Sequence, residues 1–255
     1  MQQPKRPYFR STDYIGSNRY RKMSMASLVI AIDGPAASGK GTLARKIAER
    51  LGFAYLDTGA IYRAAAHHLL YNMNSVAENE ADALIAAEYV RDHLDENMMK
   101  NPELRAEGVA QATSKIAANQ KVRAILLDAQ RKYAESPPDV NGQAVSGAIL
   151  DGRDIGTVVC PAADVKLFVT ASNEVRAKRR YDEQIAKGVD VAYDAILADM
   201  IERDKRDRER SVAPLKPADD AFVIDTSNDT PKDVLARALD IIRGHLAEQV
   251  AKNAP

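Results

Sequence analysis

A parallel α/β sheet with helices on both faces is the fold class this sequence predicts, and three observations predict it. Five short apolar runs recur along the chain, each ending at a polar residue and followed by a longer stretch of helical period. The first run, Leu28 to Ile32, leads into the Gly-rich turn Gly34-Pro35-Ala36-Ala37-Ser38-Gly39-Lys40-Gly41-Thr42, which opens a helix with Leu43, Ile47 and Leu51 on one face. At 255 residues and 45% hydrophobic, the chain can also bury one substantial core with small lobes attached.

The elements follow in order. A strand, a Gly-rich turn and a helix start make a phosphate cradle, because backbone N–H groups converge at the positive end of the helix. Lys40 adds a mobile charge that can follow a phosphoryl group. Gly41 stands where the generic P-loop pattern carries Ser or Thr to meet a metal; Thr42 is the nearest hydroxyl. The second run, Phe53 to Leu56, ends at Asp57-Thr58-Gly59, and a helix follows with Ile61, Ala65, Leu69 and Leu70. The third, Ala148 to Leu150, ends at Asp151-Gly152-Arg153-Asp154. The fourth, Val165 to Val169, leads to a helix start at Thr170-Ala171-Ser172-Asn173 with Glu174 in the first turn. The fifth, Phe222 to Ile224, ends at Asp225, and the last helix begins near Pro231. Ligands of such sheets bind beyond the carboxyl ends of the strands, where Asp33, Asp57, Asp151, Arg153 and Asp154 all fall.

Two stretches break the alternation. Residues 68–140 read as helical throughout, interrupted near Lys100-Asn101-Pro102 and stopped by Ser136-Pro137-Pro138. They are too long for a crossover and predict an inserted lobe. Residues 173–213 predict a charged helical pair that turns at Gly188, a lid. A single domain that includes both insertions then spans 28–250. Residues 1–27 carry six basic side chains against Asp13 alone, with no apolar period, and predict a disordered basic leader with Met23 or Met25 as plausible starts.

The bulk numbers exclude several classes. Charges balance at 36 basic and 36 acidic, so no global field favours nucleic acid or a membrane surface. No apolar run approaches the roughly 18 residues of a membrane helix. The single Cys160 rules out an intrachain disulfide framework and suits a reducing, cytoplasmic compartment. Cys160, before Pro161, has no nucleophile context. His67, His68, His93 and His245 show no metal-ligand spacing.

The stretch from Glu202 to Arg210 is charged at every position. Composition alone favours a solvated helix with i,i+4 pairs such as Asp204 with Arg208. One face, however, gathers Arg203, Arg206, Asp207 and Arg210, which suits a lid over phosphates, with Arg176, Arg179 and Arg180 closing from the other side. Thr58 and Arg63 admit two readings, an N-cap with a surface charge, or a bidentate holder of a second substrate's phosphate. Asp151 is either a metal-organising acid or a carboxylate that orders its loop, the former being favoured. Asp33 is expected to brace the turn.

With these pieces placed, the chain resembles the bacterial cytidylate kinase family of P-loop nucleoside monophosphate kinases, from about Ile30 to Leu246. The resemblance rests on Ile32-Asp33-Gly34-Pro35 with Gly39-Lys40-Gly41-Thr42, on Leu56 to Arg63, on Asp151 to Val159, and on Glu202-Arg203-Asp204 with Arg206-Asp207-Arg208 and Val212 to Leu215. It implies transfer of the ATP γ-phosphoryl group to CMP or dCMP with Mg²⁺ near Thr42 and Asp151, in a monomer. It implies that Gly34, Pro35, Ala36, Ala37, Ser38, Gly39, Lys40, Gly41 and Thr42 bind ATP. Thr58, Arg63, Ser114, Arg123, Arg153, Asp154, Arg203, Asp207 and Arg210 match its substrate-contacting positions, and Lys40, Arg153, Arg206 and Arg210 would act on the migrating group. Cytosine needs an acceptor such as Ser114 or Asp154 beside a cation such as Arg123 or Arg210, and Arg203 with Asp207 would suit the ribose. The match is poorest at 72–104, where Glu80 to Asp92 reads as helix and Glu96 to Glu103 is too short for a hairpin; a helix is expected from about Leu104-Arg105. A kinase for AMP, UMP or shikimate is the nearest alternative. A GTPase-type switch lacks its Asn-Lys-x-Asp guanine-reading motif here.

Overall fold

Each of the five apolar runs forms a strand: β1 Leu28–Asp33, β2 Ala54–Asp57, β3 Gly147–Gly152, β4 Val165–Thr170 and β5 Phe222–Asp225. The structure, a computed structural model, describes residues 27–106 and 108–252. The strands make one sheet in the order β2-β3-β1-β4-β5, with every pairing parallel. Register brings the polar strand ends together: Asp151 lies opposite Asp57 on one side and Ile32 on the other, and Asp33 lies opposite Gly152.

Side chains alternate across the sheet, so each face has its own core. On one face Ile30, Ile32, Ile149, Leu167 and Val169 pack with Leu43 and Ile47 of α1 (Lys40–Leu51) and Val234 and Ile242 of α9 (Pro231–Lys252). On the other, Ala31, Leu56, Ala148 and Leu150 meet α2 (Thr58–His67), α3 (Glu80–His93), α5 (Val109–Ile116) and α6 (Gln120–Glu135). The segment between β2 and β3 is therefore helical, as expected, and its Val90, Ile116, Val122 and Leu126 share the core of the sheet.

Local chemistry explains most boundaries. Ser172 caps α7 (Asn173–Ala186), accepting from Val175 N at 3.3 Å, and Gly188 takes a left-handed conformation before α8 (Tyr193–Glu209). α2 is capped by Asp57, whose side chain accepts from Ala60 N at 3.1 Å, so Thr58 is not the cap. The helix expected from Leu104 starts later. Asn101 caps a single 3-10 turn, Pro102–Arg105, and α5 begins only after Gly108. The short α4 (Glu96–Lys100) fills the stretch judged too short for a hairpin. The leader expected at residues 1–27 lies outside the described residues, apart from Ser27. No helix among the described residues is long and apolar enough to cross a membrane.

Candidate active site

The cradle is the turn between β1 and α1. Its carbonyls are pulled outward by donors from elsewhere in the fold. Arg176 Nη1 donates to Ala36 O at 3.1 Å, while Arg179 Nη1 and Thr226 Oγ1 donate to Ser38 O at 3.3 and 3.0 Å. Turning carbonyls out leaves the amides of the turn facing in, where an anion is favoured. Arg176 and Arg179 are thus fixed to the cradle and do not form a mobile jaw. Arg180 pairs with Glu183 at 2.9 Å. Lys40 is buried, and its Nζ donates to Pro35 O at 3.2 Å. Burial, then the nearby Arg153 charge, pushes its pKa down to about 7, against the pull of Asp151 and Asp57.

Asp151 sits at the centre of the strand ends. It is buried, and Tyr55 donates its hydroxyl to Asp151 Oδ2 at 2.7 Å. Burial raises the Asp151 pKa, with Lys40 opposing and Asp57 adding to the rise. A Cβ on Gly41 would stand 3.0 Å from that same Oδ2, so the missing P-loop hydroxyl makes room for the carboxylate. Thr42 is exposed at the start of α1. Thr58 Oγ1 donates to Asp151 O at 2.8 Å, tying α2 to β3. Arg63 Nη2 donates to Asp57 Oδ2 at 2.6 Å. Burial pushes the Asp57 carboxyl up, but the Arg63 guanidinium, joined by Lys40 and the Ala60 amide, makes the net shift downward. Arg63 is therefore no free surface charge; it is held at the mouth of the site by an acid.

The third group comes from β3 and α8. Arg153 Nε donates to Asp207 Oδ2 at 3.0 Å. Burial raises Asp207, yet Arg153 and Arg203 together hold it below the usual carboxylate range. Asp154 is buried and pairs with Arg123; Arg210 Nη2 lies 3.6 Å from its other oxygen. Arg123 also lies over the Tyr62 ring, 5.6 Å from its centroid. Burial, then Arg153, lowers Arg203 to about 10. The charged run thus has two faces: Glu202, Lys205, Arg208 and Glu209 are exposed, with the expected i,i+4 pair of Arg208 and Asp204 at 3.8 Å, while Asp204 and Asp207 are buried and Asp204 pairs with Arg176 at 2.5 Å.

Four side chains here carry buried atoms that find no hydrogen-bond partner among the described residues: Ser114 Oγ, Arg203 Nε, Arg206 Nε and Arg210 Nη2. An unpaired buried polar atom costs about 1–3 kcal/mol; Arg210 Nη2 and Arg206 Nε still lie 3.6 and 3.8 Å from Asp154 and Glu202, so the cost falls on Ser114 Oγ and Arg203 Nε. Ser114, Arg203 and Arg206 line one cleft between α5 and α8, bridged by Gln111 Nε2 donating to Asp199 Oδ1 at 2.7 Å.

Three residues escaped sequence reasoning. Tyr55 reads as a strand residue, and nothing local says that its hydroxyl reaches Asp151. Arg176 reads as a lid cation because its fully buried pocket is assembled from distant segments. Asp33 was expected to brace its own turn; instead it accepts from Ile155 N and Gly156 N at 2.7 and 2.8 Å, bracing the turn after β3, and burial raises its pKa to about 7. Cys160 is only half-buried, and burial lifts its thiol to about 11, out of nucleophilic range. No group of three His, Cys, Asp or Glu side chains suited to a metal exists among the described residues.

Comparison with known proteins finds relatives along most of the chain. Residues 30–244 match the family described as Cytidylate kinase. The chain is 52% identical over 216 residues to a cytidylate kinase of Paramagnetospirillum magneticum, covering 85% of this chain and 98% of that one. It is 50% identical over 215 residues to that of Rhodospirillum rubrum, covering 84% and 97%. To that of Xanthobacter autotrophicus it is 48% identical over 220 residues, covering 86% and 99%. With a family match that spans most of the chain and relatives aligned over nearly their whole length, this chain belongs to the cytidylate kinase family.

Proposed function

We propose that this chain transfers the γ-phosphoryl group of ATP to CMP or dCMP, giving ADP and CDP or dCDP. The observation that carries this reading is the Asp154 carboxylate set between Arg123 and Arg210, just beyond the end of β3. Asp154 accepts only, so it suits the N4 amino group of cytosine, while Arg123 and Ser114 suit O2 and N3. Uracil would turn its O4 acceptor toward the carboxylate and leave buried groups mispaired, a difference that such sites convert into large discrimination.

The remaining roles follow from charge and position. Residues 34–42 hold the triphosphate, with Lys40 following the migrating group. Arg63 and Thr58 hold the monophosphate end, Arg203 and Asp207 the ribose, and Arg153, Arg206 and Arg210 spread over the equatorial oxygens during transfer. No protein nucleophile is needed. Hard oxygen donors suit Mg²⁺ brought in with ATP: the Asp151 carboxylate from the strand side and the Thr42 hydroxyl from the helix start would hold it, and it would supply neutralisation of charge on the phosphate oxygens. Membership of the family supports a monomer with small-molecule substrates, balanced charge gives no field for nucleic acid or a membrane surface, and the single free thiol suits a reducing, cytoplasmic compartment.

A panel of AMP, CMP, dCMP, UMP, GMP and shikimate, each incubated with ATP and read by ADP release, tests the assignment. CMP and dCMP should be turned over with kcat/KM roughly 100-fold above AMP and UMP; equal use of AMP would overturn the base-recognition argument. Arg63→Ala should raise the KM for CMP about tenfold or more while leaving that for ATP nearly unchanged, since a bidentate phosphate contact is lost from one substrate only. A defect confined to ATP would remove Arg63 from the monophosphate site.

A further inference from the structure

The geometry points to Arg176 as a positioning residue that couples the two nucleotide sites, by clamping α8 to the phosphate cradle. Arg176 lies in the first turn of α7 and is 1% exposed, the largest fully buried side chain of the described residues. All five of its donors are used. Nε donates to Ala171 O at 3.1 Å. Nη1 serves Ala36 O at 3.1 Å and Asp204 Oδ1 at 3.2 Å, and Nη2 serves Asn173 Oδ1 and Asp204 Oδ2, each at 2.5 Å. One planar group thereby joins the crest of the cradle, the end of β4, the start of α7 and the middle of α8. A guanidinium has the rigid fork this needs, and an ammonium does not.

The consequence lies in the phase of α8. Residues three apart on a helix share a face and adjacent ones do not, so fixing Asp204 against Arg176 fixes where Arg203 and Asp207 point. Those two, with Arg210 beyond the helix end, are the residues that face Arg153 and Asp154 from the lid. On the other side, Ala36 precedes Ala37, a non-glycine residue at φ 57, a strained conformation that the crest keeps only when its surroundings hold it. Filling the cradle with a triphosphate stiffens the crest, and Arg176 passes that order to the row that receives the monophosphate. Binding at one site then favours binding at the other, equally in both directions.

This inference rests on the kinase reading above, and one experiment separates the two. CMP affinity would be measured calorimetrically with and without a saturating non-hydrolysable ATP analogue, for the wild type, Arg176→Lys and Asp204→Asn, with thermal melts alongside. The wild type should bind CMP at least about fivefold tighter when the cradle is filled. In either folded variant that gain should fall to about twofold or less, while each ligand alone still binds. Variants that melt earlier yet keep the full gain would show a merely structural clamp and overturn the inference. So would a wild type that binds both ligands with no gain, whatever the variants do. A wild type that binds ATP analogue but not CMP under either condition would instead overturn the cytidylate reading and the inference with it.

Discussion

Replacing Lys40 by Met should lower kcat by about 1,000-fold, the scale of losing one preorganised charge aimed at the transferring group, while leaving the protein folded and more stable near neutral pH. The stability sign follows from burial. Lys40 has a pKa of about 7 in the fold against 10.5 unfolded, so it must give up a proton or be buried charged. Its contribution is most favourable above the unfolded value and is lost as pH falls from 10.5 through 7. Methionine fills the same space without that cost, and the gain at pH 7 should be on the order of 1–3 kcal/mol. The same shift predicts a proton signature. Above neutral pH the lowered pKa leaves Lys40 more often uncharged in the empty cradle than a free lysine would be, and a triphosphate favours its charged form, so nucleotide binding should take up a proton. Binding heats measured in buffers of different ionisation enthalpy should reveal that uptake in the wild type and not in Lys40→Met. Undiminished turnover in the variant would remove Lys40 from the reaction.

Most of the fold was legible because its signals are local. Each strand announces itself by an apolar run and a polar end, and Ser172, Pro231 and Gly188 mark helix boundaries by their own chemistry. The start of α5 was misplaced because Leu104-Arg105 carries helical residue types. The boundary is set by Gly108 in a left-handed conformation, a signal read only once the preceding 3-10 turn is known. The candidate site was legible in its inventory and less so in its pairings. Arg63, Arg123, Arg153 and Arg210 were all identified; Arg63 leans on Asp57, the cap of its own helix, while Arg123, Arg153 and Arg210 lean on acids from other segments, Asp154, Asp207 and Asp154 again. Such pairs lie up to 56 positions apart, as Arg210 and Asp154 do, and no spacing rule reaches that far. The cost of keeping arginines buried before substrate arrives is offset by these acids, which also fix their geometry. Phosphates then meet guanidiniums already aimed, and less of the binding energy is lost to ordering them.

Gly34→Ala should be the most damaging single methyl group that can be added to this chain. A Cβ at position 34 would lie 2.0 Å from Val169 O and 3.0 Å from Val169 C, and the residue has φ 152, where side chains are rarely accommodated. Val169 belongs to β4, whose neighbours are β1 and β5, so its carbonyl cannot withdraw without disturbing the sheet on both sides. Strain of this kind costs about 1–3 kcal/mol for the backbone alone, and the overlap adds a comparable amount. The variant should lose roughly 3–5 kcal/mol of stability and all measurable ADP binding, because the cradle must unfurl to relieve the clash. Gly188→Ala is the control: φ is 75 and a Cβ there meets nothing within 4 Å, so only the conformational cost of about 1 kcal/mol should appear. Adding Ser38→Ala to Gly34→Ala would clear the 3.3 Å contact with Ser38 Oγ and still leave Val169 in place. The double variant should therefore be no better than the single one. A double variant that regained nucleotide binding would show that the obstruction was a side chain, and that the main chain of β4 does not set the shape of the cradle.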